Sequence, residues 1–267
     1  FNNNNEYKET LKSLFNISEE KIWTTAGHLY NKEKRHTDVI KCFLKAIELN
    51  KNEYTYWAFL GISYHDNKQY KEAIKSLLKS IELKSDDFGS WFWLGASYYE
   101  CFQYKQAAES LLKSLELNPT KEAKADIEYL LREIGSLYFE NEEYDKAINL
   151  YLKIIELNPN NYVYWSSLGC SYTKNMQHEK AIEYLLKAIE LKPDLFINYH
   201  YLGYSYYETK QYDKAINYLL KSVELQPDFY NSWTLLCNLY YESGQYEEAI
   251  KSLLKTIELN PNDFSNW

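Results

Sequence analysis

Trp57-Ala58-Phe59-Leu60-Gly61-Ile62-Ser63-Tyr64 returns 34 residues later as Trp91-Phe92-Trp93-Leu94-Gly95-Ala96-Ser97-Tyr98, and again as Trp165-Ser166-Ser167-Leu168-Gly169-Cys170-Ser171-Tyr172. Working outward, a Tyr-x-x-Ala-hydrophobic run marks one phase at Ala73, Ala107, Ala147, Ala181, Ala215 and Ala249, with His178 in the tyrosine's place before Ala181, and with His36 and Val39 in the places of tyrosine and alanine at the start. The steps between markers are 34, 34, 40, 34, 34 and 34 residues. A fixed period of this length means a solenoid, in which each unit is too small to bury its own apolar face and closes by stacking on the next. Counting back from each marker predicts seven complete units over 20–263, starting at Glu20, Tyr54, Phe88, Glu128, Tyr162, Phe196 and Tyr230.

Each unit divides into two helical stretches. Tyr54, Trp57, Leu60 and Tyr64 stand at repeat positions 1, 4, 7 and 11, a spacing that lays them on one helical stripe. Tyr70, Ala73, Ile74, Leu77, Leu78 and Ile81 form a second apolar face with Lys and Glu opposite. Small residues such as Gly61 and Ala73 let the two helices approach. Asn67-Lys68-Gln69 supplies the turn between them. Pro119, Pro159, Pro193, Pro227 and Pro261 all fall at position 32, where proline stops the second helix. Asn160, Asp194, Asp228 and Asn262 follow four of them and suit an N-cap or the turn before the next helix.

This pattern resembles the tetratricopeptide repeat, whose signature is W-x2-L-G-x2-Y, then A-x3-F, then P. The resemblance covers nearly the whole chain. Departures are mild: Leu usually takes the Phe position, as at Leu77 and Leu219, Ala26 stands for Leu in the first unit, and Cys237 for Gly in the last. It implies an all-α solenoid of stacked antiparallel helix pairs wound into a right-handed superhelix. The first helices would line the concave side, and extended peptides or short helices would bind there.

The resemblance implies that positions 2, 5, 6, 9, 12 and 13 face that groove. They present Phe59, Ile62 and His65 in the unit from Tyr54, and Phe92, Trp93 and Tyr99 in the next. Arg132 and Phe139 follow, then a small-residue stretch from Ser166 to Thr173, then His200, Tyr201, Tyr204 and Tyr207, and last Asn238 and Tyr241. The wall reads as aromatic and nearly uncharged. Family members that clamp an acidic C-terminus carry Lys at position 5 with Asn at position 9. That pair never occurs here, and Arg132 is a lone basic residue at position 5. The asparagine ladder that sugar-transferase arrays carry at position 6 is missing too. What remains suits an apolar or aromatic-bearing peptide with rings as rigid anchors. Packing between neighbouring repeats is the competing role for Trp93 and Tyr201, and simple solvation for His65 and His200. Trp57, Trp91, Trp165 and Trp233 at position 4 read as core.

The 40-residue step places six extra residues between Pro119 and Glu128, in Thr120 to Ile127. Ala123, Ile127, Leu130, Leu131 and Ile134 keep helical spacing without Gly or Pro, which predicts a first helix near 120–139 lengthened by about 9 Å. A tolerated insertion without a role is the alternative.

With 38 acidic against 30 basic residues the net charge is −8, which argues against a nucleic-acid backbone as partner. The four cysteines are scattered in repeat phase, without C-x-x-C, and read as free thiols of a reducing compartment such as the cytoplasm; zinc or a disulfide is the competing reading. No apolar run approaches a membrane span. Residues 1–19 fit the second helix of a partial repeat, with Tyr7, Thr10, Leu11 and Leu14 in phase, and 264–267 the start of a cut-off one, so the chain reads as a piece of a longer array. Asn2 to Asn5 is then an inter-helix turn, or else a disordered asparagine tract. The tyrosine abundance is as compatible with AT-rich codons as with selection for stacking. No phosphate loop, H-E-x-x-H or G-x-S-x-G occurs, and the recurring Gly-x-Ser-Tyr belongs to the repeat. No catalysis, cofactor or metal is expected. The expected role is a protein-interaction scaffold. A regulatory or substrate-recruiting region of a larger enzyme, or a scaffold that self-associates through exposed terminal repeats, are the alternatives.

Overall fold

The computed structural model describes residues 18–260. Of the partial repeats expected at 1–19 and 264–267, residues 1–17 and 264–267 lie outside the described residues, as do Pro261 and Asn262, while Ser18 caps α1 and Glu19 opens it. Fourteen α-helices and no strand occur among the described residues. In chain order they are α1 (Glu19–Lys32), α2 (His36–Leu49), α3 (Tyr54–Asp66), α4 (Tyr70–Leu83), α5 (Phe88–Glu100), α6 (Tyr104–Glu116), α7 (Lys121–Glu140), α8 (Tyr144–Leu157), α9 (Tyr162–Lys174), α10 (His178–Leu191), α11 (Phe196–Glu208), α12 (Tyr212–Leu225), α13 (Tyr230–Glu242) and α14 (Tyr246–Leu259). Helix α7 has 20 residues, where α9, α11 and α13 have 13 each. The chain forms two compact units, the first ending at Ile134 and the second beginning at Gly135.

Hairpin closure is steric. A Cβ added at Gly95 would lie 2.6 Å from Leu111 Cγ and 3.1 Å from the Ala107 carbonyl oxygen. Only a bare backbone lets α5 settle onto α6 at that crossing. Leu77, Leu111, Leu185 and Leu219 fill the matching site of their hairpins and are fully buried. Each contributes about 1.5–3 kcal/mol through burial. Tyr151 stands there in the hairpin of α7 and α8, against Gly135.

The turns within hairpins share one geometry. Gln69 N–H donates to the Tyr64 carbonyl at 2.8 Å and Lys68 N–H to that of His65 at 2.8 Å. This is the paired closure of a helix by a left-handed residue just past its end. Lys34, Lys68, Phe102, Glu142, Met176, Lys210 and Gly244 take that left-handed role, with φ between 57° and 73°. Glycine does so without strain; the other six hold a Cβ against the next carbonyl.

Between repeats, the tryptophans of position 4 have a second use beyond packing. Trp57, Trp91, Trp165 and Trp233 each donate Nε1–H to a carbonyl six residues back, at 2.7 to 2.9 Å. The ring is half-buried and pins the loop that ends the preceding second helix. The N-caps sit one residue later than the post-proline position: Asn161 accepts from Val163 N and Asp87 from Ser90 N, whereas Asp194 and Asp228 lie in the turn.

Within each unit, a second helix packs on its own first helix and on the next one. First helices of successive repeats also touch, α3 with α5, α9 with α11, and α11 with α13, while the second helices do not approach one another as closely. The first helices therefore line the inner side of each unit.

Candidate functional site

A polar ladder stitches the inner side together. His65 Nδ1 lies 3.0 Å from Ser97 Oγ, Thr173 Oγ1 3.1 Å from Ser205 Oγ, and His200 Nδ1 2.9 Å from Ser232 Oγ. Ser166 Oγ donates to Asn198 Oδ1. All four pairs are 32 residues apart and join position 5 to position 3, or 12 to 10, of the next repeat. The buried Ser80–Ser90 and Ser222–Ser232 contacts, both near 2.9 Å, tie second helices to the following first helices. A lone apolar-stripe reading misses these rungs, because small hydroxyl residues look neutral in a periodic pattern.

The ladder engages Nδ1 of each histidine with a serine hydroxyl, and both rings are half-buried. Burial lowers the pKa of His65. Burial, aided by Lys174, brings that of His200 to about 4. Both rings are neutral at pH 7.

In the first unit the inner rings are largely engaged with one another. Phe59 stacks on Phe43 at 5.1 Å and meets the His28 ring edge-on at 4.6 Å. Trp93 meets His65 at 5.0 Å and Phe92 at 5.2 Å, and packs on the core around Leu77 and Leu94. Tyr99 lies against Tyr104, and Ile62 is half-buried on α3. Arg132 is exposed, over the Tyr129 ring at 5.4 Å and 3.7 Å from Glu133.

In the second unit the inner side opens into two cavities that share Tyr201 as a wall. The larger, about 520 Å³, is lined by Ile197, His200, Tyr201 and Tyr204 of α11, by Asn231, Thr234, Leu235 and Asn238 of α13, by Phe229, and by Thr173, Lys174 and Met176 from the end of α9. The smaller, about 260 Å³, is lined by Ser136, Phe139 and Glu140 of α7, Tyr151, and Ser166, Ser167 and Cys170 of α9. The helical residues of the larger cavity come from positions 2, 5, 6, 9, 12 and 13. Burial pushes the Tyr201 hydroxyl up to about 12, and the Cys170 thiol likewise to about 12, so both stay protonated. Tyr207 lines neither cavity, and its hydroxyl donates to Glu242 Oε1 at 2.9 Å. Tyr241 is 67% exposed beside Tyr246.

The wall is less neutral than the sequence pattern suggests. Lys174 and Glu140 stand at its edges, and Asn231 and Ile197 join it from position 2. Their signal in the sequence is their phase alone. Among the described residues no group of three or more His, Cys, Asp or Glu could hold a metal ion, and no helix is long and apolar enough to cross a membrane. All four cysteines are free thiols.

The hairpins, the Gly–Leu crossings and the inner strip define an α-helical repeat array. Tetratricopeptide-repeat models match residues 20–53, 61–101, 88–121, 129–161, 150–183 and 206–267, and the chain belongs to the tetratricopeptide-repeat family. A model described as regulator of microtubule dynamics protein 1-3 matches residues 173–232. Among solved structures the fold is similar to the C-terminal part of a TPR repeat-containing protein from Cytophaga hutchinsonii, with TM-score 0.61 and 17% identity over 91% of this chain and 97% of that one. It is also similar to Naa15/Naa10 bound to HypK-THB, with TM-score 0.65 and 14% identity over 93% of this chain and 38% of that one. YrrB, described as a TPR protein with an unusual peptide-binding site, has TM-score 0.49 and 22% identity over 71% of this chain and 95% of its own. No curated protein matches the sequence.

Proposed function

We propose that this chain is a protein-interaction scaffold whose second unit binds an extended, aromatic-bearing or apolar segment along its inner strip. The observation that carries the reading is the pair of cavities meeting at Tyr201, with rings and Leu235 on the floor and side-chain amides at the rim. Concave sites in which rings and aliphatic side chains stand beside placed polar groups suit a side-chain anchor. The amides of Asn231 and Asn238 are exposed and suit a peptide backbone. Recognition needs no reaction: the stack holds the strip in shape before the partner arrives, which lowers the ordering cost of binding. In the first unit Phe92, Tyr99 and Arg132 offer a lesser surface, because Phe59, His65 and Trp93 are engaged in packing. Nucleic acid is not a partner in this reading.

Peptide-library panning tests it. Tyr201→Ala and Tyr204→Ala abolish selected binders with helicity intact, and Phe92→Ala weakens them less. Unchanged binding in the α11 variants would move recognition to another face.

Self-association is a second reading. Tyr246, Ile250 and Leu254 leave a largely exposed apolar face on α14, and an exposed apolar patch of that kind suits a second copy of the chain. Light scattering over a concentration series decides it, and a monomer at high concentration removes it.

A further inference from the structure

One cation stands alone in the wall of the larger cavity. Position 13 ends each first helix, and in the second unit that row reads Glu140, Lys174, Glu208 and Glu242. Glu208 takes a hydrogen bond from Tyr204, and Glu242 one from Tyr207. Four lysines of the second helices are occupied: Lys187 and Lys221 pair with carboxylates three residues on, and Lys180 and Lys214 lie over the Tyr172 and Tyr206 rings. Among the described residues Lys174 forms no ion pair and no hydrogen bond. It borders the same cavity as Tyr201, Tyr204 and Leu235.

We propose that the segment bound by the second unit carries a single carboxylate beside its bulky apolar anchor, the anchor filling the cavity and the carboxylate meeting Lys174. The inference rests on the groove reading above and gives the partner a charge pattern. A lone cation among three carboxylates accepts one acidic side chain and repels a run of them, so the flanking residues are neutral or basic. An acidic tail is thereby disfavoured, and so is a uniformly apolar segment, which would leave Lys174 facing an uncharged neighbour. Anchor and carboxylate share one cavity, so they lie within about three residues of each other in an extended chain.

The test uses short acetylated and amidated peptides with a fixed central Trp and randomised flanks, selected against the wild-type chain, Lys174→Glu and Tyr204→Ala. The wild type enriches Asp or Glu over Lys or Arg at one position near the Trp by about five-fold, and Lys174→Glu reverses the sign at that position. A variant that still selects peptides is folded, so the reversal reports charge and not stability. The same charge preference in wild type and Lys174→Glu overturns the carboxylate assignment, while loss of selection in Tyr204→Ala keeps the groove reading standing. Selection that survives Tyr204→Ala, or no enrichment by the wild type, removes both.

Discussion

His200 Nδ1 lies 2.9 Å from Ser232 Oγ, which joins position 5 of one first helix to position 3 of the next. Ser166 and Asn198 repeat the relationship one repeat earlier. These rungs fix how successive first helices sit side by side, and so the width of the strip between them. A neutral imidazole is part of the device, because burial disfavours the charged ring.

Acid should therefore loosen the second unit. The folded pKa of His200 is depressed to about 4 from the ordinary 6.5. As pH falls below 6.5 the unfolded chain takes up a proton that the folded chain refuses, so stability is lost between pH 6.5 and 4 and is fully present above 6.5. The contribution of this residue is about 3 kcal/mol over that window. Urea unfolding at stepped pH should show a shallower slope in His200→Gln, whose amide can keep the Ser232 contact. An unchanged slope would remove His200 as the cause.

Left-handed turns offer stability gains at sites distant from the strip. Phe102 and Lys210 hold φ of 60° and 57°, and the Phe102 ring is 77% exposed. Phe102→Gly and Lys210→Gly relieve Cβ strain and should each raise stability by about 1 kcal/mol. Gly244→Ala at the equivalent turn should lower it by a similar amount. Thermal unfolding followed by circular dichroism measures all three.

Asn198 is fully buried, and its Nδ2 has no hydrogen-bond partner. Ser80 and Ser222, at position 27 of their repeats, bond to Ser90 and Ser232 at position 3 of the next. The matching residue before Asn198 is Ala188, also fully buried. Ala188→Ser gives the orphaned amide an acceptor and should stabilise by about 1 kcal/mol. The gain should vanish in the Asn198→Ala background; a gain that persists there would mean the serine acts elsewhere.

Phe59→Ala separates packing from recognition. Its ring is stacked between α1, α2 and α3 through His28 and Phe43, so truncation should cost about 3 kcal/mol of stability. Peptides selected on the second unit should still bind the folded variant. Loss of binding without loss of stability would return Phe59 to the recognition surface.

Helix pairs, turns and hairpin crossings were legible because they depend on residues near in sequence and repeated in one phase. Gly95 predicts its own crossing with α6, since any side chain there collides with Leu111. Which rings remain available to a partner was not legible. Positions 12 and 17 illustrate why. Tyr99, Phe139, Tyr207 and Tyr241 at position 12 each meet a tyrosine at position 17 of the same repeat. Thr173 leaves that place empty, and His178 at position 17 meets Tyr204 of the next repeat instead. The fate of Tyr204 thus depends on a substitution 31 residues earlier.

The sequence by itself determined that this protein is a stack of helical hairpins, because a 34-residue apolar period has no other way to be buried. Only the tertiary structure decided that the first unit's inner rings close on one another while the second unit keeps cavities around Tyr201. That choice is made by contacts between successive repeats, where one side chain's volume and hydrogen bonds set the space left to its neighbour, and no single period of the sequence contains both partners.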